Sequence, residues 1–259
     1  MPITRSLFAA QTASCGGVTL PVQNVSIEST TPLEDAMRLG RLKSAARVQK
    51  EASTSKGTVK FYLTSTGTSV GSALNTLVSG WSAGTTSSLS IDGVELMKGI
   101  CTNISVDAAV GDFGFLTVSL EGIGTSAMPA SAGSVDDNLA KFTPVTSDSI
   151  TIAGNTVNSA KFSIDLPTDR LSKLGATITG LSAMTDNSDS HLFVGKPPYK
   201  ATITIDGPDL SAGLATMTIG TLGITIADAA ETAKSYSNSA GDTAGQYSFS
   251  FEGTDCTFS

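Results

Sequence analysis

The chain has 259 residues, which is enough for one large β-fold or for two domains of ordinary size. Charged residues make up only 15 % of the chain, and the formal net charge is −7. Proteins that grip nucleic acid through its phosphates are basic, so this composition excludes them. The low charge fraction predicts that much of the surface is buried against other subunits, the alternative being a secreted type of surface rich in Ser and Thr.

The N-terminal residues and the cysteines point to a soluble chain with free thiols. Residues 1–17 are interpreted as a mature N-terminal arm, because the apolar run at 7–10 is too short for a secretory signal. No apolar run approaches the roughly 18 residues of a membrane span, so no membrane partner is expected. Cys15, Cys101 and Cys256 are odd in number and lack CxxC spacing, which predicts free thiols in a reducing compartment.

Period-two alternation of apolar and polar side chains predicts strands along most of the chain. Such strands bury one face and leave the other in water. They lie at residues 59–63, 104–106, 116–120, 149–152, 201–205 and 247–251. Asp92-Gly93 predicts a hairpin turn. These patterns predict an all-β fold.

Helical periodicity is confined to two segments. The first is residues 70–81, which predict a short amphipathic helix packed on its own sheet. Its apolar side consists of Val70, Leu74, Leu77, Val78 and Trp81. The second is residues 228–238, which are interpreted as another helix or a long loop.

Two long polar stretches, at residues 40–57 and 176–198, have no apolar core of their own. Loops of this length are usually functional. A helix over 33–50 is possible but lacks a continuous apolar face. The first stretch is strongly basic, with Glu51 as its single acid.

Sequence markers recur at constant spacing, which predicts an internal duplication. Three of them return with one common offset: Val22, Pro32 and Gly40 recur as Val157, Pro167 and Gly175. Glu121-Gly122 returns as Glu252-Gly253, with a slightly shorter offset that a difference in loop length explains. The predicted division is an arm at 1–17, a first domain at 18–124, a linker at 125–144 and a second domain at 145–259.

No catalytic constellation is found, so the chain is predicted to be non-enzymatic, with no cofactor and no metal. His191 is the only histidine, and any histidine-dependent dyad or triad would have to use it. The motifs of nucleophile elbows, zinc proteases, phosphate loops and dinucleotide folds are missing. The acids at 186–189 only suggest a calcium loop.

Three segments give the chain a resemblance to the tail tube proteins of long-tailed bacteriophages. A strand at 25–27 leads to an acidic segment that ends in Leu39-Gly40, a long loop and a helix follow, and a last strand ends in the Glu-Gly-Ile-Gly of 121–124. The resemblance implies two tandem β-barrel or β-sandwich domains, each with one short helix. Sheets of neighbouring subunits would join edge to edge, and three two-domain chains would form a pseudo-sixfold ring.

The resemblance also implies a structural role in the virion, after synthesis in the host cytoplasm. Rings would stack into a hollow tube that conducts DNA during ejection without binding it specifically. Terminator, tape measure and tail-tip proteins would be the other partners. A baseplate hub or tail-tip protein is one alternative, because hub proteins also carry two tube-like domains. A carbohydrate-binding or adhesive β-protein is another, although 6 % aromatic residues is few for binding platforms.

Two sets of charged side chains are candidates for contacts in such an assembly. The acids expected to face the lumen, where they would repel DNA, or the ring edge are Asp92, Glu95, Asp107, Asp112, Glu121, Asp206, Asp209 and Glu252. A basic set is expected to reach an acidic neighbour in the same or an adjacent ring and to set its register. Its members are Arg41, Lys43, Arg47, Lys50 and Lys56.

Overall fold

The chain is mostly β in the part that the structure describes. A computed structural model describes residues 12–30, 33–36, 46–49, 53–63, 70–91, 93–123, 150–152, 154–172, 191–207, 216–227, 230–237, 246–253 and 255–259. Within these ranges there are nineteen strands and one helix, α1 (Val70–Ala83). This helix does not have the length and apolarity that a membrane crossing requires.

Six strands of the first half close into an antiparallel barrel. The strands of this half are β1 (Thr12–Cys15), β2 (Val18–Thr30), β3 (Leu33–Ala36), β4 (Ala46–Gln49), β5 (Thr54–Leu63), β6 (Ser87–Ile91), β7 (Val94–Ala109) and β8 (Gly114–Ile123). Around the barrel the order is β7-β6-β1-β2-β5-β8, and β8 returns to β7. The hairpin β3–β4 stands apart as a two-stranded sheet.

Strands of the second half pair with the barrel strand β7 and continue its sheet outward. Its strands are β9 (Ile150–Ile152), β10 (Asn155–Thr156), β11 (Ser159–Asp165), β12 (Thr168–Ser172), β13 (His191–Gly195), β14 (Lys200–Gly207), β15 (Thr216–Ile219), β16 (Leu222–Ala227), β17 (Ala230–Ser237), β18 (Gln246–Gly253) and β19 (Asp255–Phe258). β11 pairs with the C-terminal part of β7, and β14, β18 and β17 follow outward. A second sheet has the order β10-β9-β15-β16-β19, and β12–β13 form a hairpin.

The alternating side chains of these strands build one continuous core. Val59 and Phe61 of β5, for example, are fully buried, while their chain neighbours on the opposite face are partly exposed. In the second half, Phe162 and Phe249 occupy the same kind of position. The ring of Phe162 packs edge to face on that of Phe258, with 5.6 Å between centroids, which ties the two sheets of the second half together.

Helix α1 joins the two halves. Its buried side carries Leu74, Leu77 and Trp81, as the sequence pattern predicts. The indole Nε1 of Trp81 donates to the carbonyl of Pro167 at 2.9 Å, so the helix of the first half bonds to the second half. Gly71 lets the helix approach the C-terminus closely, since a Cβ there would lie 2.8 Å from the backbone of Ser259.

Most predicted strands are confirmed, and three interpretations are corrected. Residues 12–17 do not belong to an N-terminal arm, because β1 is a barrel strand whose small side chains give little periodic signal. Residues 230–237 of the predicted helix or loop at 228–238 form strand β17, whose exposed and mostly polar residues hide its period. The described parts of 33–50 form the β3–β4 hairpin, not a helix.

Several predictions fall on other parts of the chain. The linker proposed at 125–144 lies outside the described residues, and so do residues 176–190 of the second long stretch. Among the described residues there is one helix, so the expectation of one helix per domain is met in the first half alone.

Candidate functional site: a strand wall with two outer edges

Eight strands form one continuous antiparallel sheet, here called the strand wall. Their order is β2-β5-β8-β7-β11-β14-β18-β17. β7 is the central junction, because residues 103–107 pair with β8 on one edge and with β11 on the other. The wall therefore runs without interruption from the first half of the chain into the second.

The two faces of the wall differ in polarity. One face is the core, where β14 for instance buries Ala201, Ile203 and Ile205. The other, here called the wall face, carries mainly Ser, Thr and charged side chains. Its uncharged polar members include Thr58, Asn103, Ser105, Thr117, Ser119, Ser163, Thr202, Thr204, Ser235, Ser237, Ser248 and Ser250.

Charges of both signs are distributed over the wall face, with an excess of acids. The acids are Glu28, Asp107, Glu121, Asp165, Asp206 and Glu252, and the bases are Lys56, Lys60, Lys161 and Lys200. Lys56 Nζ lies 3.6 Å from Glu121 Oε1, and Lys200 forms an ion pair with Glu252. Such exposed pairs contribute little stability but keep the surface polar.

The predicted acidic set is divided by the structure. Asp107, Glu121, Asp206 and Glu252 share the wall face, although they come from four different strands. Glu95 lies instead on the exposed N-terminal part of β7, 3.9 Å from Lys98. Asp112 lies in the turn between β7 and β8, where its carboxylate accepts the N–H of Phe113 at 2.7 Å. Asp92 and Asp209 lie outside the described residues.

The predicted basic set is not brought together within the described residues. Lys56 belongs to strand β5 and to the wall face, where Glu121 is its ion-pair partner. Arg47 is part of β4. The others, Arg41, Lys43 and Lys50, lie outside the described residues. The interpretation of 40–57 as one loop is thus wrong at its end, because Thr54 already begins β5.

Two threonine bulges mark equivalent points in the two halves of the wall. Thr102 is skipped in the ladder between β7 and β8, and its hydroxyl donates to the carbonyl of Ser119 at 3.3 Å. Thr232 is skipped in the ladder between β17 and β18, and its hydroxyl donates to the carbonyl of Ser250 at 3.1 Å. A bulge is a specific feature of a ladder, so its recurrence with the same side chain is informative.

A second hydrogen bond recurs on the wall face. The hydroxyls of Thr58 and Ser119 are 3.1 Å apart across β5 and β8. Those of Thr204 and Ser250 are 3.4 Å apart across β14 and β18. The order of pairing is therefore the same in both halves, with β2-β5-β8-β7 matched by β11-β14-β18-β17.

The two outermost strands of the wall each have an edge with no partner strand among the described residues, here called a bare edge. Among the strands that the structure describes, β17 pairs with β18 alone, and residues 24–30 of β2 pair with β5 alone. All residues of β17 are exposed, and 56 % of the surface of Tyr236 is accessible to solvent. The family resemblance placed a strand at 25–27, but neither that strand nor β17 was predicted to be an outer edge.

A groove beside helix α1 holds no reactive group among its described residues. It measures about 720 Å³ and lies between α1, residues 197–199 and β19. Tyr199 Oη donates to Asp255 at 2.7 Å. Burial, reinforced by this bond, raises the pKa of Tyr199 to about 12. Asp255 also accepts the N–H of Cys256, so these groups stabilise the fold of this corner.

The cysteines are buried and unreactive in this fold. Cys15, Cys101 and Cys256 are all free thiols with at most 4 % of their surface exposed. Burial raises the pKa of Cys101 and of Cys256 to about 12, and that of Cys15 at least as strongly. In the described part of the chain no three His, Cys, Asp or Glu side chains are grouped to hold a metal.

Neither the protein-family models nor the curated proteins compared with this chain give a match. The wall, its polar face and its two bare edges are therefore the features from which a function is argued.

Proposed function

We propose that the protein is a structural subunit of a phage tail tube, in which strand walls of several copies join into a closed ring. The observation that carries this proposal is the pair of bare edges, β17 and β2, at the two ends of one eight-stranded sheet. Exposed strand edges promote uncontrolled association, and closure into a barrel abolishes them. A wall that ends in two such edges is suited to closure with copies of itself.

The proposal includes two tandem tube domains related by duplication. The recurring bulges at Thr102 and Thr232 support it, as does the recurring hydroxyl pair. The offset of the first three sequence markers agrees with them, since the same offset separates Thr30, where β2 ends, from Asp165, where β11 ends. Each domain then contributes four strands, and the β7–β11 ladder is the joint between the two domains.

Three copies of the wall give a ring of suitable size. Three times eight strands is 24, and a spacing of about 4.8 Å with a tilt near 40° gives a backbone diameter of roughly 50 Å. Porins of 16–18 strands already enclose a water-filled channel. A ring of this kind has room for a DNA double helix, and its six domains are arranged with pseudo-sixfold symmetry.

The wall face is the surface that we assign to the lumen. Its opposite face is buried in the core, so only this one is available to line a channel. Ser and Thr hydroxyls keep it wet, and its acids outnumber its lysines. A weakly acidic wall repels DNA phosphates and allows the duplex to slide without sticking.

Stacking of rings into a tube calls for contacts outside the wall. We propose that four members of the basic set, Arg41, Lys43, Arg47 and Lys50, contact an acidic neighbour in the same or the adjacent ring, whereas Lys56 lies on the wall face beside Glu121. Tail terminator, tape measure and tail-tip proteins would meet the ends and the lumen of the tube. Charge reversal at Arg41, Lys43 and Arg47 is expected to shorten or destabilise tubes, and unchanged tubes would contradict this contact.

Imaging combined with mass measurement tests the proposal directly. Purified protein is followed by light scattering and negative-stain microscopy over a wide concentration range. Rings or tubes, with masses in multiples of three chains of 26.3 kDa, are the expected result. A monodisperse monomer at every concentration would contradict it and favour an adhesive or binding module.

A further inference from the structure

We infer the register in which two copies of this chain join: β17 of one copy pairs antiparallel with β2 of the next, with Ser235 opposite Glu28 and Tyr236 opposite Ile27. This chain–chain seam rests on the proposed function, because it specifies how the walls close. It is read from a junction that already exists inside the chain.

The internal junction is the ladder between β7 and β11. In it Ser105 lies opposite Ser163, and Val106 lies opposite Phe162. Val106 and Phe162 are both fully buried. On the wall face of the same ladder, Asn103 Nδ2 donates to Asp165 Oδ1 at 2.7 Å. The junction thus has an apolar side toward the core and a polar side toward the wall face.

The β17 edge is equivalent to the β7 edge of that junction. The two bulges make Thr102 and Thr232 corresponding residues. The residue pairs that follow each bulge along β7 and β17 then correspond one by one. Ser105 pairs with Thr117 of β8, and Ser235 pairs with Ser248 of β18. Thr117 and Ser248 differ in number by the same offset as the two Glu-Gly markers, so they are corresponding residues. Their partners across the ladders, Ser105 and Ser235, therefore correspond to each other as well. One residue further along each strand, Tyr236 corresponds to Val106.

The β2 edge is equivalent to the β11 edge. Glu28 pairs with Lys56 of β5, and Ser163 pairs with Thr202 of β14. Ser163 follows Glu28 at the offset of the first three sequence markers, so it takes the corresponding place in the second half. Ile27 accordingly takes the place of Phe162. Combining the two equivalences gives the register stated above.

The exposure of these two strands leaves room for a covering neighbour. Val106 and Phe162 have no exposed surface at the internal junction, whereas Tyr236 is 56 % exposed and Ile27 is half-buried. The same contrast holds two residues along β11, on the same face, where Ala160 is buried but its counterpart Val25 is only half-buried. A second copy is the occupant that supplies the matching strand at both edges at once.

Cysteine pairs test the register. The variant Glu28→Cys with Ser235→Cys places thiols opposite each other on the wall face, and Ile27→Cys with Tyr236→Cys does so on the core side. Opposed pairs alternate between close and wider Cβ distances, so one of the two variants has the closer geometry. Mild oxidation of assembled rings is expected to give reducible covalent dimers and trimers, with trimers as the largest closed species.

Two controls make the outcome decisive. Ser26→Cys with Ser235→Cys keeps the same face but shifts the register by two residues, and its yield is expected to be at least about tenfold lower because diagonal Cβ atoms are too far apart. Ser105→Cys with Ser163→Cys is the equivalent pair inside the chain and is expected to close without crosslinking copies. The native thiols add little background, because all three are buried.

The results separate the register from the proposed function. Rings that form but link best through the shifted pair, or through neither opposed pair, overturn the register and leave the tube subunit standing. Protein that forms no rings, as judged by light scattering before oxidation, overturns the proposed function itself.

Discussion

At the scale of single residues, side chains that bond to backbone hold the two halves together. Asn75 of α1 acts as a clamp, because its Nδ2 donates to the carbonyl of Phe258 at 2.6 Å and its Oδ1 accepts the N–H of Phe258 at 2.9 Å. An amide side chain can thus occupy the place of a neighbouring strand beside β19. Trp81 makes the matching contact to Pro167 at the other end of the helix.

Substitution of Asn75 by alanine is expected to lower the free energy of unfolding by about 1–3 kcal/mol, since two backbone groups lose their partners. Thr76→Ala is the control, because Thr76 is exposed and bonds only within the helix, to the carbonyl of Ser72. Its effect is expected to stay within about 0.5 kcal/mol. Urea unfolding measures both, and equal effects of the two variants would contradict the clamp.

The buried thiols make stability fall at alkaline pH. Burial raises the pKa of Cys101 and Cys256 from 9.0 to about 12, so the unfolded chain releases these protons first. Their contribution is complete below pH 9 and is lost as the pH rises from 9 toward 12. The decline approaches about 1.4 kcal/mol per pH unit for each thiol.

Urea unfolding between pH 7 and pH 10 measures this decline. The double variant Cys101→Ala, Cys256→Ala is expected to lose stability less steeply above pH 9 than the parent, whatever its stability at pH 7. An unchanged slope would show that other groups cause the decline.

At the scale of elements, the outer strands differ from their internal counterparts by what covers them. β7 and β11 bury apolar side chains against each other, while Tyr236 of β17 is exposed and Val25 and Ile27 of β2 are only half-buried. The sequences of the two outer strands still permit pairing, and the side that we assign to the lumen carries only small or polar residues. Among the strands that the structure describes, neither β17 nor residues 24–30 of β2 has a second neighbour.

A charge placed on the outer strand is expected to block assembly without unfolding the subunit. Tyr236→Asp changes the unfolding free energy by less than about 1 kcal/mol, because the side chain is 56 % exposed in the single chain. Ring formation falls roughly tenfold or more, because an unpaired carboxylate is buried against Ile27 in the seam.

Light scattering gives the fraction of assembled protein, and urea unfolding gives the stability of the subunit. Thr216→Asp, on the exposed side of β15, introduces the same charge away from the wall and is expected to assemble normally. Loss of assembly in both variants would point to a general effect of charge.

At the scale of the whole molecule, the proposed tube predicts that the balance of charge on the wall face controls how DNA behaves in the lumen. Asp107→Lys converts an exposed acid of this face into a base, and assembled tubes are expected to retain duplex DNA more strongly at low salt. The retention is expected to weaken steeply when the salt concentration rises from about 50 to about 200 mM.

Glu95→Lys is the matched control, since it changes the net charge equally but lies off the wall face, on the exposed start of β7. Co-sedimentation of labelled duplex with tubes compares the two variants. Equal retention by both variants would contradict the assignment of the wall face to the lumen.

Local pattern was sufficient to predict much of this molecule from its sequence. Alternation locates the cores of β5, β8, β14 and β18, because a strand with one buried face must repeat every second residue. The helical stripe that ends at Trp81 was recognised for the equivalent reason. The constant offset of the sequence markers equals the spacing between the ends of β2 and β11.

What the sequence could not supply depends on contacts between distant segments. The Ala-, Lys- and Ser-containing β17 has no periodic signal, and it becomes a strand because β18 offers it a partner edge. Asp107, Asp206 and Glu252 share a face only because the ladders place β7, β14 and β18 in one sheet. Glu95 belongs to the same strand as Asp107 but does not lie on the wall face. Pairing register is a property of two strands and not of one, so no single segment contains it.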